Sequence, residues 1–201
     1  MSAGPSPRLY FLRHGETDWN AEGRLQGRQD IPLNAKGRAQ AVRAGRTLKK
    51  LLASSGAPPD QIAFQCSPLD RTRETLEIAR LELGLPRAGG AFDERLIEFT
   101  FGRWEGLTWP EVCARDPDLA RARETDKWNF TPPGGESYAQ LAERLEPWLA
   151  EQERPSVVIS HGGVARALMA MIGGLSEARA PTADIWQGRV LVFSRDRFNW
   201  I

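Results

Sequence analysis

The feature that most limits how this chain can fold occurs twice: an uncharged, apolar run that stops at a histidine-glycine pair. Near the N-terminus Leu9-Tyr10-Phe11-Leu12 runs into Arg13-His14-Gly15-Glu16-Thr17, and far along the chain Ser156-Val157-Val158-Ile159-Ser160 runs into His161-Gly162-Gly163. A run without polar alternation reads as a strand covered on both faces, the condition of a strand inside a parallel sheet. Residues 61–66 read as a further strand, and Arg189-Val190-Leu191-Val192-Phe193-Ser194 as a last one. Helical patterns lie between them. Asn34 is the expected N-cap of a helix to residue 54, ended by Gly56, Pro58 and Pro59. Ser67 and Pro68 read as cap and first residue of a helix closed by Gly84, and another helix is expected over 164–172. Strands alternating with helices predict an α/β domain with a mostly parallel sheet and right-handed crossovers.

The 201 residues are read as one domain (1–201), since 41% apolar residues at this length bury a self-sufficient core. Residues 88–133 are the least regular part, with one capping-box signature at Thr108-Trp109-Pro110-Glu111, and are read as an insertion or lid over the core. Ser137 and Gln140 start a helix carrying Tyr138, Leu141, Leu145 and Leu149, in which Pro147 is expected to kink or split off the last turn.

Charge narrows the function. Lys and Arg number 27 against 26 Asp and Glu, a net +1, so nothing supports a nucleic-acid binder or a polybasic membrane-surface protein. Cys66 and Cys113 are too few for a disulfide framework and read as reduced thiols. The first residues lack a basic flank and an apolar stretch, and no uncharged run nears the roughly 18 residues that span a bilayer. The expectation is a soluble, cytoplasmic protein without a membrane or nucleic-acid partner; the sequence does not set its oligomeric state.

In open parallel sheets ligands sit beyond the carboxyl ends of the strands. Three such ends deliver Arg13-His14-Gly15, Ser67-Pro68-Leu69-Asp70-Arg71 and His161-Gly162-Gly163, so both histidines of the chain fall on strand-end loops with arginines near them. Guanidinium forks and helix N-termini favour phosphate oxygens, which makes an anion site the natural inference. A lone histidine after a strand is more often an ordinary loop residue; two, each at such an end, shift the balance. Metal ligation carries little weight, because neither histidine has a Cys, Asp or second His at ligand spacing. Glu98, taken alone, is a solvated loop carboxylate.

Phe11-Leu12-Arg13-His14-Gly15-Glu16-Thr17-Asp18-Trp19-Asn20 resembles the signature of the histidine phosphatase superfamily, the phosphoglycerate-mutase-like proteins. The resemblance continues, in order, through Arg24-Leu25-Gln26-Gly27, Asp30-Ile31-Pro32-Leu33, Ser67-Pro68-Leu69-Asp70-Arg71-Thr72-Arg73-Glu74-Thr75, Leu96-Ile97-Glu98, Phe101-Gly102-Arg103-Trp104-Glu105-Gly106 and Ser160-His161-Gly162-Gly163. It implies a three-layer α/β/α fold and a two-step phosphoryl transfer through a phosphohistidine. Carried over by position, His14 is the nucleophile, Arg13 and Arg71 grip the phosphoryl oxygens, His161 completes the pocket and Glu98 is the proton donor. Thr17, Asn20 and Gly162 are further substrate contacts. Glu16, and more weakly Glu105, are alternative acids.

Two arginines and a donor histidine can stabilise a transferring phosphoryl group without Mg²⁺, so neither metal nor cofactor is expected. The expected partner is a small-molecule phosphomonoester. The phosphatase branch is preferred to a mutase because the chain is short and has no adjacent Arg-Arg pair in its middle segment, Arg121 and Arg123 being split by Ala122. A silent phosphate binder is the third class. Sugar phosphates, phosphoglycerates and ribazole phosphate stay open as substrates. Trp109, Trp128 and Phe130 could wall the pocket or simply pack the middle segment down, while Arg115, Arg121, Arg123 and Lys127, mixed with acids, read as a solvated helix face. Cys66 reads as a buried core thiol.

Overall fold

The computed structural model describes residues 8–194 and 196–201. Six strands, β1 (Leu9–Arg13), β2 (Ala63–Cys66), β3 (Ala91–Phe92), β4 (Ser156–Ser160), β5 (Leu191–Phe193) and β6 (Phe198–Trp200), form one sheet in the order β3-β2-β4-β1-β5-β6. The two histidine-terminated runs are central neighbours. β1 lies parallel to β4 with Leu9 opposite Ser156 and Arg13 opposite Ser160, which brings His14 and His161 out at the same end and level. β2 is parallel to β4, and β3 to β2, whereas β5 and β6 add an antiparallel margin.

The described residues form seven α-helices, α1 (Asp18–Ala21), α2 (Ala35–Ser55), α3 (Asp70–Glu82), α4 (Trp109–Arg115), α5 (Pro117–Thr125), α6 (Tyr138–Ala150) and α7 (Gly162–Met171), of which α2, α3, α6 and α7 cover the sheet. Successive β1 residues go to opposite layers, as the pleat requires. Leu9 and Phe11 pack with Leu141, Leu145 and Leu168 of α6 and α7, while Tyr10 and Leu12 pack with Leu48, Leu52 and Leu76 of α2 and α3. Each such side chain contributes about 1.5–3 kcal/mol by leaving water. The absence of polar alternation in β1 and β4 is therefore the direct consequence of being sandwiched.

Local signals held where they were self-contained. Asn34 Oδ1 accepts from the Gly37 amide at 2.8 Å at the start of α2, and Gly56 ends that helix in the left-handed region. Three expectations need correction. α3 starts at Asp70 behind Leu69, because the Ser67 side chain is not capping: its hydroxyl lies 2.7 Å from His161 Nε2. α6 runs unbroken past Pro147, where burial of Leu141, Leu145 and Trp148 outweighs the roughly 3 kcal/mol a mid-helix proline costs. α7 begins two residues earlier than its apolar pattern, at Gly162, with extended His161 as its cap. Neither β3 nor β6 has a strand pattern legible in the sequence.

Within 88–133, β3 joins the sheet edge and the remainder folds around a small third core of Trp104, Val112 and Ala120. Trp104 stacks on Phe130 at 5.6 Å and donates from Nε1 to Asp116 at 2.7 Å. Among the described residues no helix is long and apolar enough to cross a membrane.

Candidate active site

The site is built on the β1–β4 pair. His14, 3% exposed, follows β1, and its Nδ1 lies 2.7 Å from the Gly15 carbonyl oxygen. A carbonyl can only accept, so Nδ1 carries the proton and Nε2 keeps its lone pair. Burial, with the charges of Arg71 and Arg13, holds the imidazole pKa well below its usual value, and the ring is neutral. Gly15 is required by close approach: a Cβ there would strike the backbone of Gly37 in the first turn of α2.

His161 is fully buried, its ring centroid 5.2 Å from that of His14. Burial and the Arg71 charge keep it neutral as well. Arg13 donates from Nη1 to Ile185 O at 3.1 Å, and burial, followed by the repulsion of Arg166, lowers its pKa to about 10. Arg71, from the first turn of α3, is 1% exposed and donates to Gln29 O at 2.6 Å and Gly27 O at 2.8 Å. Its nearest carboxylate, Asp30, is 3.9 Å away.

Four buried side-chain polar atoms lack any hydrogen-bond partner among the described residues: Arg13 Nε, Arg71 Nε, His161 Nδ1 and Gln26 Oε1. Orphaned buried groups cost about 1–3 kcal/mol each and are rare. Three of these four belong to residues that the sequence pointed to; Arg13, Arg71 and Gln26 line one cleft, whose wall does not include His161. That cleft, about 280 Å³, is walled by Arg13, His14, Asn20, Arg71, Glu98 and Gly162, together with Phe99, Phe101, Tyr138, Arg123 and Arg166.

Glu98 closes one side. Its Oε2 accepts from the Gly163 amide at 2.9 Å and its Oε1 from the Phe99 amide at 3.1 Å, yet burial raises its pKa above the ordinary carboxyl value. Gly163 cannot carry a side chain, because a Cβ would overlap the Glu98 carboxylate and the Phe99 ring. The Glu98 loop is clamped from behind: Arg28 Nε donates to Glu98 O at 3.1 Å, Arg144 Nη2 donates to Ile97 O at 3.0 Å, and both arginines also bond Glu136.

The other candidates fall elsewhere. Glu16 is paired with Lys36 at 2.7 Å, which lowers its pKa, and does not line the cleft. Glu105 accepts from Thr100, Phe101 and Arg28 and ties loops together. Asn20 is on the wall; Thr17 is not, its buried hydroxyl accepting from the Asn20 amide at 3.2 Å. Cys66 is a core thiol, pushed up to about 12 by burial. Trp109 and Phe130 pack on Trp104, and Trp128 stacks on Tyr138 at 5.9 Å, so none of the three walls the cleft. Arg123 leaves the solvated face expected of it and turns into the cleft. Ser67, Arg166, Tyr138 and Gln187, whose Nε2 donates to His14 O at 3.2 Å and to Asn20 Oδ1 at 3.1 Å, are not among the sequence candidates for the site. Only Arg166 had a legible signal: it lies four residues, one helical turn, after Gly162. Among the described residues no group of three or more His, Cys, Asp or Glu is placed to hold a metal ion.

The family model described as the histidine phosphatase superfamily (branch 1) matches residues 9–200. The chain belongs to the histidine phosphatase superfamily. This histidine phosphatase is 35% identical over 190 residues to a glucosyl-3-phosphoglycerate phosphatase of Mycobacterium tuberculosis, covering 87% of this chain and 78% of that protein. It is 30% identical to a 2,3-bisphosphoglycerate-dependent phosphoglycerate mutase of Beijerinckia indica, over 92% of this chain and 90% of the relative. Among solved structures, the mycobacterial glucosyl-3-phosphoglycerate phosphatase in complex with VO3 superposes with a TM-score of 0.77 at 30% identity, covering 97% of this chain and 96% of that one. The fold is that of the phosphoglycerate-mutase-like proteins, and the activity is that of a phosphoric monoester hydrolase.

Proposed function

We propose that the His14 cleft hydrolyses the phosphomonoester of a small metabolite in two displacements, and that residues 88–133 act as an insertion that closes the cleft. The observation that carries the reading is the set of orphaned donors, Arg13 Nε, Arg71 Nε and His161 Nδ1, buried around a histidine whose Nε2 lone pair is free. In the first step that lone pair attacks phosphorus, the bond to the alcohol oxygen breaks, and the Glu98 carboxyl hands its proton to the leaving oxygen. In the second, the Glu98 carboxylate takes a proton from water, whose oxygen attacks phosphorus, and the P–N bond breaks to return neutral His14 and inorganic phosphate. Arg13 and Arg71 hold the equatorial oxygens in both steps, where charge stabilisation matters most. The Gly162 amide at the start of α7 and Asn20 supply further phosphate contacts, and Thr17 holds Asn20 in place.

Ser67 sets the role of His161. If His161 Nε2 carried the proton, the Ser67 hydroxyl hydrogen would have no acceptor and His161 Nδ1 would offer only a lone pair to an anion. With Ser67 donating to Nε2 at 2.7 Å, the hydroxyl hydrogen has its acceptor and Nδ1–H is left as the donor for a phosphoryl oxygen. The two free cysteines accord with a reducing, cytoplasmic setting.

Incubation with a generic phosphomonoester tests the reading. It predicts release of inorganic phosphate and none from His14→Ala. Binding of phosphate without release would make the protein a binder, and conversion of 3-phosphoglycerate to its 2-isomer faster than phosphate release would make it a mutase.

A further inference from the structure

The turn that carries the nucleophile is held by groups the two displacements do not use. The His14 amide donates to Ser160 O at 3.0 Å, the Gly15 amide to Thr75 Oγ1 at 3.2 Å and the Glu16 amide to Gln40 Oε1 at 2.8 Å. One carbonyl of this turn is reached from far along the chain: Gln187 Nε2 donates to His14 O at 3.2 Å. A carbonyl only accepts, so this contact fixes which end of the Gln187 amide is the NH₂ group. The same NH₂ group donates to Asn20 Oδ1 at 3.1 Å, where the Thr17 amide also donates at 3.3 Å. Two donors on one oxygen fix the Asn20 amide in turn, and Nδ2 is the end left for the cleft that Asn20 lines. Gln187 itself stands outside that lining. It sits on residues 183–188, a stretch tied down beside the phosphoryl site, with Arg166 Nε donating to Ala183 O at 2.9 Å and Arg13 Nη1 to Ile185 O at 3.1 Å.

We propose that Gln187 is a positioning residue, whose one NH₂ group pins the backbone of the nucleophile and turns Asn20 so that Nδ2, not Oδ1, meets the phosphoryl oxygens. The inference rests on the phosphatase reading of the cleft and adds a residue to it. A phosphoryl oxygen is attracted by an N–H and repelled by an amide oxygen, so an Asn20 amide free to turn over presents the wrong end part of the time. Gln187 removes that freedom before the substrate arrives, and through the same group it ties the phosphate contact to the residue that attacks.

The test starts from Gln187→Met, which keeps the length of the side chain and has no hydrogen to donate. With 4-nitrophenyl phosphate as substrate, kcat/KM should fall about 10–100-fold, and Gln187→Glu, which puts acceptors where the donors were, should be at least as impaired. Asp184→Asn, an exposed position on the same stretch, should match the wild type. In an Asn20→Ala background the methionine substitution should cost about threefold or less, because the amide it orients is gone; a merely structural glutamine would cost the same in both backgrounds. The spectroscopic arm titrates inorganic phosphate and follows the Asn20 side-chain NH₂ resonances, assigned by their loss in Asn20→Ala. They should move on binding in the wild type and far less in Gln187→Met. Unchanged kcat/KM in Gln187→Met, equal costs in the two backgrounds, or Asn20 resonances that respond alike in both proteins overturn the proposal. The phosphate titration needs no turnover, so a protein that binds phosphate through Asn20 and hydrolyses nothing loses the phosphatase reading and keeps this role for Gln187.

Discussion

The floor and the wall of the cleft are made in different ways. The floor, with His14, Arg71 and His161 all at most 3% exposed, hangs from strand ends and a helix start that the sheet itself fixes. The wall comes from residues 88–133 and the faces of α6 and α7, and is held by side chains reaching across the sequence, with Arg28 and Arg144 clamping the Glu98 loop onto Glu136. Polar groups on the floor are left waiting for an acceptor, whereas Glu98 on the wall is already satisfied by the Gly163 and Phe99 amides. On the proposed reading the floor receives the phosphoryl group and the wall, through Glu98, supplies the proton.

If the wall supplies the proton, Glu98→Gln should lower kcat by about 10²–10⁴ while phosphate still binds the intact floor. The carboxyl must be protonated to donate. Since burial raises its pKa, the competent fraction is lost as pH rises through that raised value. The wild-type rate should therefore show an alkaline limb that is missing from Glu98→Gln. Steady-state rates across pH, with phosphate binding measured in parallel, separate this from a general loss of structure.

On the floor, Ser67→Ala should cost about 10–100-fold in kcat by releasing the His161 tautomer, and Ser67→Thr should recover most of it. Nitrogen chemical shifts of the His161 ring give the independent readout: the proton on Nδ1 in the parent, a mixture of tautomers in the alanine variant. Equal activity of the wild-type and Ser67→Ala proteins would remove the serine from the account.

A smaller effect distinguishes floor from wall by stability. His14 and His161 have folded pKa values well below 6.5, so the unfolded chain binds more protons as pH drops through 6.5 and acidification favours unfolding. Glu98, with its pKa raised, acts in the opposite sense: its proton stabilises the fold, and that contribution is lost as pH rises above its unfolded value. Thermal melting in phosphate-free buffer should fall from pH 7.5 to pH 5.5, with a shallower slope in His161→Gln.

The same division explains what was legible in the sequence. β1, β4 and the two histidine-glycine pairs could be read because a strand buried on both faces leaves a local trace, and its end dictates where the next residues emerge. Glu98 had no such trace; only the ordered resemblance distinguished it from a surface carboxylate, since its place depends on an amide 65 residues away. Arg123 was misread for a related reason. Its neighbours Arg121, Glu124 and Asp126 are exposed, and nothing in a mixed-charge run tells which of its members faces inward. Ser67 fitted a helix-cap pattern that the chain does not use, because the pattern cannot register a histidine 94 positions later competing for the same hydroxyl.

The central claim is that the phosphoryl group passes through His14 Nε2. Mixing the enzyme with a substrate labelled in its phosphoryl group, quenching in alkali during turnover and mapping the label tests it directly. The account predicts an alkali-stable, acid-labile label on the peptide that contains His14, absent from His14→Ala. Turnover at full rate with no label on that peptide, or with phosphate released by His14→Ala, would contradict it.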